Sequence, residues 1–386
     1  MRALVAGAGC CGASAARRLA EYGWQVTVVE RREHVGGNAF DRRDEHGMLY
    51  HVYGPHVFFT DREQVWEFLR PFVRWTPYRG SVCVWLEQEA HPMPFQPALL
   101  CRLLGADGER TLTALRRRYQ GRESATVLEL LQDEDPLLRQ AGQRLYDCDC
   151  APYNQKQWGL RLEELLPEVA ARAPVYLEDR RDFRPERFQF MPEDGFDRMF
   201  QRMLEHPGIE VRTGVDALEL LEVSGGRIVW KSEGQWDAVL YTGRLEPLFA
   251  YSAGALPYRT LHFDMEYCTP EQGLPCLAMY YPGLDVPWTR RADYRYLPGN
   301  PPEPEKTLVI GERPGPMEGP QDEPYYVVLT EQSQARHQSY WKQLEQVPHL
   351  YGAGRLAEFR YYNMDQAVGR GLDIAEEIHR REGRNR

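Results

Sequence analysis

No stretch of this 386-residue chain approaches the roughly 18 consecutive apolar residues that a membrane-spanning helix needs. The N-terminus has neither the apolar core nor the cleavage site of a secretory leader, because Met1-Arg2 runs straight into strand-like Ala3-Leu4-Val5-Ala6. An excess of positive charge is lacking: 57 acidic residues against 47 basic ones give a net charge of −10, which argues against a nucleic-acid or anionic-membrane partner held by bulk electrostatics. The basic runs Arg116-Arg117-Arg118 and Arg180-Arg181 read as solvated faces. Eight cysteines are present, but none forms a CxxC pair, and Cys148-Asp149-Cys150 has no second Cys/His pair at zinc spacing. No metal site is therefore expected, and the thiols read as free in a reducing cytoplasm. Internal repeats and low-complexity tracts are absent. A cytoplasmic protein of two or three domains is the expectation.

Aromatic residues are plentiful by contrast, at 12%, including 22 tyrosines and 9 tryptophans. The excess fits either a stacking cleft or simply large core residues.

Residues 2–30 read as a βαβ unit: an apolar strand at 2–6, a glycine turn, a helix at 13–22 ended by Gly23, and a second strand at 25–29 ending at Glu30. The turn is Gly7-Ala8-Gly9-Cys10-Cys11-Gly12, a G-x-G-x-x-G. Gly7 permits the tight turn, Gly9 lets backbone approach a pyrophosphate, and Gly12 lets helix and strand pack closely. The helix N-terminus then offers free N–H groups to phosphate, and Glu30 stands where an acid accepts from a ribose hydroxyl. Beyond Glu30 and Arg31 comes a second glycine pair, Gly36-Gly37-Asn38. This extended form is similar to the two-part fingerprint of FAD proteins of the glutathione-reductase and amine-oxidase kinds, so FAD is expected over NAD.

Further along, 62–75 reads as an amphipathic helix, 81–85 as a strand and 94–166 as mostly helices. Strands return at 209–212, 227–231 and 238–242 and, broken by Pro/Gly turns, across 255–330. A helix begins at Gln334. The turn Gly352-Ala353-Gly354-Arg355-Leu356 precedes a final helix at 366–381, and Arg355 is a candidate partner for the cofactor pyrophosphate.

Ordered segments then carry a closer likeness. Tyr53-Gly54-Pro55-His56-Val57-Phe58-Phe59-Thr60, Tyr153 to Gly159 with Lys156-Gln157-Trp158-Gly159, Arg172-Ala173-Pro174-Val175 and Tyr258-Arg259-Thr260-Leu261 lead the series. Val286-Pro287-Trp288-Thr289-Arg290, Asp322-Glu323-Pro324-Tyr325-Tyr326 and Gly354-Arg355-Leu356-Ala357-Glu358-Phe359-Arg360-Tyr361-Tyr362 follow. Together they resemble the UDP-galactopyranose mutase family over nearly the whole chain. The resemblance implies an α/β fold in three pieces. A Rossmann-like FAD-binding domain comes from 1–78, 205–250 and 345–386, a helical lid domain from 95–170, and an antiparallel β-sheet domain from 79–94, 171–204 and 251–344. It implies an isomerase that interconverts pyranose and furanose forms of a nucleotide-diphosphate hexose. The flavin must be reduced, and its N5 forms a covalent adduct with the sugar. Implied partners are the nucleotide sugar, an electron donor for the flavin and, as in many family members, a second copy in a homodimer.

By the same resemblance, Arg172 on a lid, Arg290 on a strand and His56 near the flavin would be catalytic. Tyr153, Gln157, Trp158, Arg172, Arg259, Arg290, Tyr326 and Tyr361 would hold the substrate. Gly7, Gly9, Gly12, Glu30, Arg31, Gly37, Asn38, Arg355, Tyr362 and Met364 would hold FAD. The cofactor would carry the hard chemistry, which explains why no protein nucleophile stands out. Several positions depart from the family pattern: Phe59 for a second histidine, Phe183 for a tyrosine, Asn363 for an aspartate, Pro92 for an asparagine, and Asp149-Cys150 for stacking aromatics. They cluster on the nucleoside and sugar side, so a nucleotide other than UDP or a modified sugar is expected as readily as UDP-galactose. An amine-oxidase-like oxidoreductase and a catalytically silent FAD- or nucleotide-sugar-binding protein are the competing readings.

Overall fold

A computed structural model describes residues 1–165, 173–180, 184–231, 235–301, 304–319 and 322–383. Its first unit is a five-stranded, all-parallel sheet in the order Ile209–Thr213, Gln25–Glu30, Arg2–Ala6, Ala238–Tyr241, Leu350–Gly352. Its central strands are buried almost throughout, as expected of a parallel sheet covered on both faces. The helices Cys10–Glu21 and Met364–Gly383 pack on one another, and Gly371 sets their distance. A Cβ there would stand 2.1 Å from Ser14 Oγ and 2.4 Å from the Cys11 carbonyl oxygen. Thus the last helix of the chain is seated on the first.

The second unit is a seven-stranded sheet running Tyr326–Val327, Tyr258–Cys268, Thr307–Pro316, Arg290–Asp293, Ala278–Tyr280, Val82–Leu86, Glu89–Pro92. It is antiparallel except where Ala278–Tyr280 pairs in parallel with Val82–Leu86. Between them lies a helical insertion from Pro97 to Trp158, whose core is built on Leu99, Leu100, Leu112, Leu115, Leu130, Leu138 and Leu145. The strand Ser124–Thr126 pairs with Pro174–Tyr176 and ends in a capping box, in which Thr126 and Glu129 satisfy each other's backbone N–H groups.

Four expectations change. The helix expected at 62–75 is only Glu63–Leu69, because Pro71 cannot continue it, and Trp75–Pro77 pairs instead as a strand with Phe188–Pro192. The helix expected from Gln334 begins at Glu331, capped by Thr330. Two helices assigned to the sheet domain belong with the parallel sheet. Phe196–Leu204 buries Phe196, Met199, Phe200 and Met203 in the same core as Cys10–Glu21. Glu331–Glu345 packs on Leu350–Gly352. Apolar contact decided both placements, and neighbourhood in sequence did not predict it.

Candidate functional site

A cavity of about 1160 Å³ opens where the parallel sheet, the mixed sheet and the helical insertion meet. Its floor is the glycine turn. Gly7 has φ +107°, and a Cβ on it would lie 2.1 Å from Thr242 Oγ1. A Cβ on Gly12 would fall 1.9 Å from the Gly7 carbonyl oxygen. The second glycine pair packs directly against the first: Gly37 (φ +57°) would place a Cβ 2.9 Å from the Gly9 Cα. Glu30 locks the two turns together, accepting from Ala8 N–H at 2.9 Å and Arg32 N–H at 3.0 Å. A bare-backbone cradle above a helix N-terminus suits a dinucleotide pyrophosphate, so the residues present fit FAD.

The loop after Glu30 is fastened from across the cavity. Arg31 and Arg32 each donate to Glu323 at 2.8 Å, and Arg32 also donates to Asn38 Oδ1 at 2.9 Å. The Arg32 guanidinium stacks on the Tyr53 ring, 4.4 Å from its centroid. Arg31 is the expected cofactor residue, yet Arg32 is the more enclosed of the two, with a side chain 15% exposed against 49%. At the C-terminal side, Arg355 lies over Tyr326 and Tyr361, 5.1 and 5.7 Å from the ring centroids. Tyr362 gives its hydroxyl to Glu358, which also receives Gly354 N–H and Arg370. Met364 opens the final helix and lines the cavity.

Arg290 stands at the centre. It is opposite Glu312 on the neighbouring strand, and both ends of its fork donate to that carboxylate at 2.9 Å. Burial works against the Arg290 charge, but Glu312 outweighs it and the guanidinium stays cationic. Gly54 makes this approach possible: at φ +85°, a Cβ would come within 2.7 Å of Glu312 Oε1. Two residues on, His56 holds Nδ1 2.7 Å from the Gly54 carbonyl oxygen. A carbonyl only accepts, so Nδ1 carries the proton and Nε2 is a bare acceptor. Burial, helped by Arg290 and Arg355, lowers the His56 pKa to about 4, so the ring is neutral at pH 7.

The third wall is the helix Ala151–Trp158, which brings Tyr153, Gln157 and Trp158 to the cavity. Trp158 sets its edge against Tyr326 and Tyr361 at 5.7 and 5.6 Å. Lys156 points the other way and donates to the carbonyls of Tyr281, Gly283 and Trp288, pinning the helix to the mixed sheet. Arg259 does not join the cavity lining. Its Nε donates to the Gln157 carbonyl at 2.8 Å and its Nη2 to that of Lys156 at 3.3 Å, so it caps the helix C-terminus, where a cation is favoured. The side chain of which a substrate contact is expected thus turns in this structure to the helix end. Arg172, expected on the lid, and Phe183 lie outside the described residues.

The cavity also holds residues that motif reading passed over. Glu312 is reached only through strand pairing. Arg184 lines the cavity, stacks on Phe59 with 3.6 Å to the ring centroid, and pairs with Glu186 at 2.9 Å. A run of arginines in a polar loop gave no sign of that position.

Fold and cavity define a dinucleotide-binding α/β protein whose ligand chamber is walled by a helical insertion and a second sheet. The chain belongs to the UDP-galactopyranose mutase family, and it is an isomerase of that mutase kind. The family model described as UDP-galactopyranose mutase matches residues 150–361, and one described as NAD(P)-binding Rossmann-like domain matches 5–72. The chain is 30% identical to UDP-galactopyranose mutase of Mycoplasma pneumoniae over 382 residues, covering 97% of this chain and 95% of that one. It is 29% identical to dTDP-fucopyranose mutase of Escherichia coli over 378 residues, 97% of each. The crystal structure of reduced UDP-galactopyranose mutase superposes with a TM-score of 0.68 at 19% identity, covering 98% of this chain and 93% of that one.

Proposed function

We propose that the protein interconverts the pyranose and furanose forms of a nucleotide-diphosphate hexose, with FAD in its reduced state as cofactor. One observation carries this reading: a single cavity holds both the glycine cradle and a cationic–aromatic cluster of Arg290, Arg355, Tyr326, Tyr361 and Trp158. Gly7, Gly9, Gly12, Glu30, Arg31, Gly37, Asn38, Arg355, Tyr362 and Met364 would hold the cofactor. When bound, reduced FAD would supply the nucleophile toward the anomeric carbon, with its electrons coming from a donor outside the chain.

The chain's own part is to hold charge and exclude water. The anomeric bond breaks most easily when the departing diphosphate is held by fixed donors. Arg290 is suited to this because Glu312 fixes its fork before substrate arrives, so little ordering remains to be done. Arg172 would add a second cation from the lid. Tyr326 and Tyr361 would donate to phosphate oxygens, while Tyr153, Gln157 and Trp158 line the nucleotide path. His56 offers its bare Nε2 as an acceptor to a sugar hydroxyl and, being neutral, adds no charge that would compete with the arginines for the diphosphate.

Product analysis tests this. FAD-loaded, dithionite-reduced protein is incubated with UDP-galactofuranose and with a panel of dTDP-, GDP- and UDP-hexoses. Ring isomerisation of a panel member only under reduction is expected. Absence of turnover across the panel would sink the reading.

A further inference from the structure

Asp149 is a carboxylate in the cavity wall without a cationic partner among the described residues. It stands in the π turn Tyr146–Cys150, which runs unbroken into the helix Ala151–Trp158. Pro152 explains the widened turn, since it has no N–H to return to the carbonyl one turn back. Along this wall Asp149, Tyr153 and Gln157 are spaced four apart and share the cavity-facing side. Asn154 adds a second group: its amide nitrogen donates to the Cys150 carbonyl at 2.7 Å, which leaves its Oδ1 to accept. Met93, Phe95 and Cys150 add apolar lining to the same cavity, and burial pushes the Asp149 pKa up to about 7. The other titratable groups packed around it are the thiols of Cys148 and Cys150, and the Cys150 thiol donates a hydrogen bond to the Asp149 carboxylate, whose remaining lone pairs are left to accept.

The helix wall gives the cavity an order. Trp158, at its C-terminal end, meets Tyr326 and Tyr361, over which Arg355 lies. Further back along the helix Tyr153 meets Tyr280, whose ring centroid stands 5.8 Å from the Arg290 guanidinium, and Asp149 follows one more turn away from Arg355. If the sugar meets the flavin and the diphosphate meets Arg290, the group that reaches Asp149 is the nucleobase.

We propose that Asp149 selects the nucleobase, and that the base it selects is guanine; the inference rests on the nucleotide-sugar reading above. Guanine presents two adjacent donors, N1–H and the 2-amino group, to which a carboxylate can accept in parallel. Asn154 Oδ1 offers an acceptor on the same wall for the second amino hydrogen. Uracil and thymine present one N3–H between two carbonyl oxygens, whose lone pairs face the carboxylate and oppose it. Adenine and cytosine offer one amino group beside an acceptor nitrogen. The nucleotide sugar is thus a guanosine-diphosphate hexose.

The test is calorimetric titration of the FAD-loaded protein with GDP, UDP and dTDP at pH 8.5, where Asp149 is ionised. GDP is expected to bind at least about tenfold more tightly than either pyrimidine nucleotide. Asp149→Asn, nearly isosteric, should lose that preference while UDP binding changes less than about twofold and FAD content is unchanged. A mere structural role would weaken all three ligands alike. Equal or tighter binding of UDP or dTDP, or a uniform loss in the variant, overturns the guanine inference and leaves the mutase reading standing. If no nucleoside diphosphate binds the FAD-loaded protein at all, both fall.

Discussion

At the scale of single residues, the Arg290–Glu312 pair decides both stability and proposed activity. A buried pair broken on one side leaves an uncompensated charge, which costs about 3–5 kcal/mol. Arg290→Met should therefore lower stability by about that much, measured by urea unfolding. The double variant Arg290→Met, Glu312→Met should regain most of it and still lack turnover, because the fork is gone. If the double variant were no more stable than the single one, the pair would not be the source of the loss. His56 makes a separate prediction. Its folded pKa, near 4, lies below the ordinary 6.5, so folding favours the neutral ring. The stability this contributes is present above pH 6.5 and is lost as pH falls toward 4. His56→Gln, which cannot titrate, should flatten that part of the stability–pH curve, and an unchanged slope between pH 6.5 and 4 would contradict the assignment.

At the scale of elements, two glycine turns meet backbone to backbone. Gly37→Ala adds a Cβ 2.9 Å from the Gly9 Cα in a left-handed conformation, so one of the turns must shift. The purified variant should retain less than about a tenth of the flavin absorbance of the wild type while its far-UV dichroism is preserved. Full flavin occupancy would show that the cradle tolerates widening. These turns were legible in the sequence because their causes are local: a strand, three glycines and a helix within a few residues. Glu312 and Arg184 were not legible. Glu312 meets Arg290 through register between strands 22 residues apart, and Arg184 reaches the cavity through an irregular loop laid over Phe59. Arg259 shows the converse. Its motif was readable, but its direction depended on where the helix Ala151–Trp158 ends, and the side chain turned to that end.

At the scale of the whole molecule, the N-terminal βαβ unit was legible from periodicity and glycine spacing, whereas the three pieces, FAD-binding, helical and antiparallel-sheet, were expected only through the family resemblance. The allegiance of Phe196–Leu204 and Glu331–Glu345 was legible in neither, because it depends on which apolar face meets which core after the chain has folded. Among the described residues no helix is long and apolar enough to cross a membrane, and the polar–aromatic chamber lies inside one compact chain.

The parallel sheet takes its strands from residues 2–30, 209–241 and 350–352, and the last helix rests on the first through Gly371. This sets a timetable for biogenesis. The glycine turn is synthesised long before Arg355, Tyr362 and the helix Met364–Gly383 that buttresses it. Pairings this distant in sequence close slowly. The proposed flavin site is therefore complete only once residues 350–383 have been made, and a chain interrupted before Leu350 should carry the glycine fingerprint and yet fail to bind FAD.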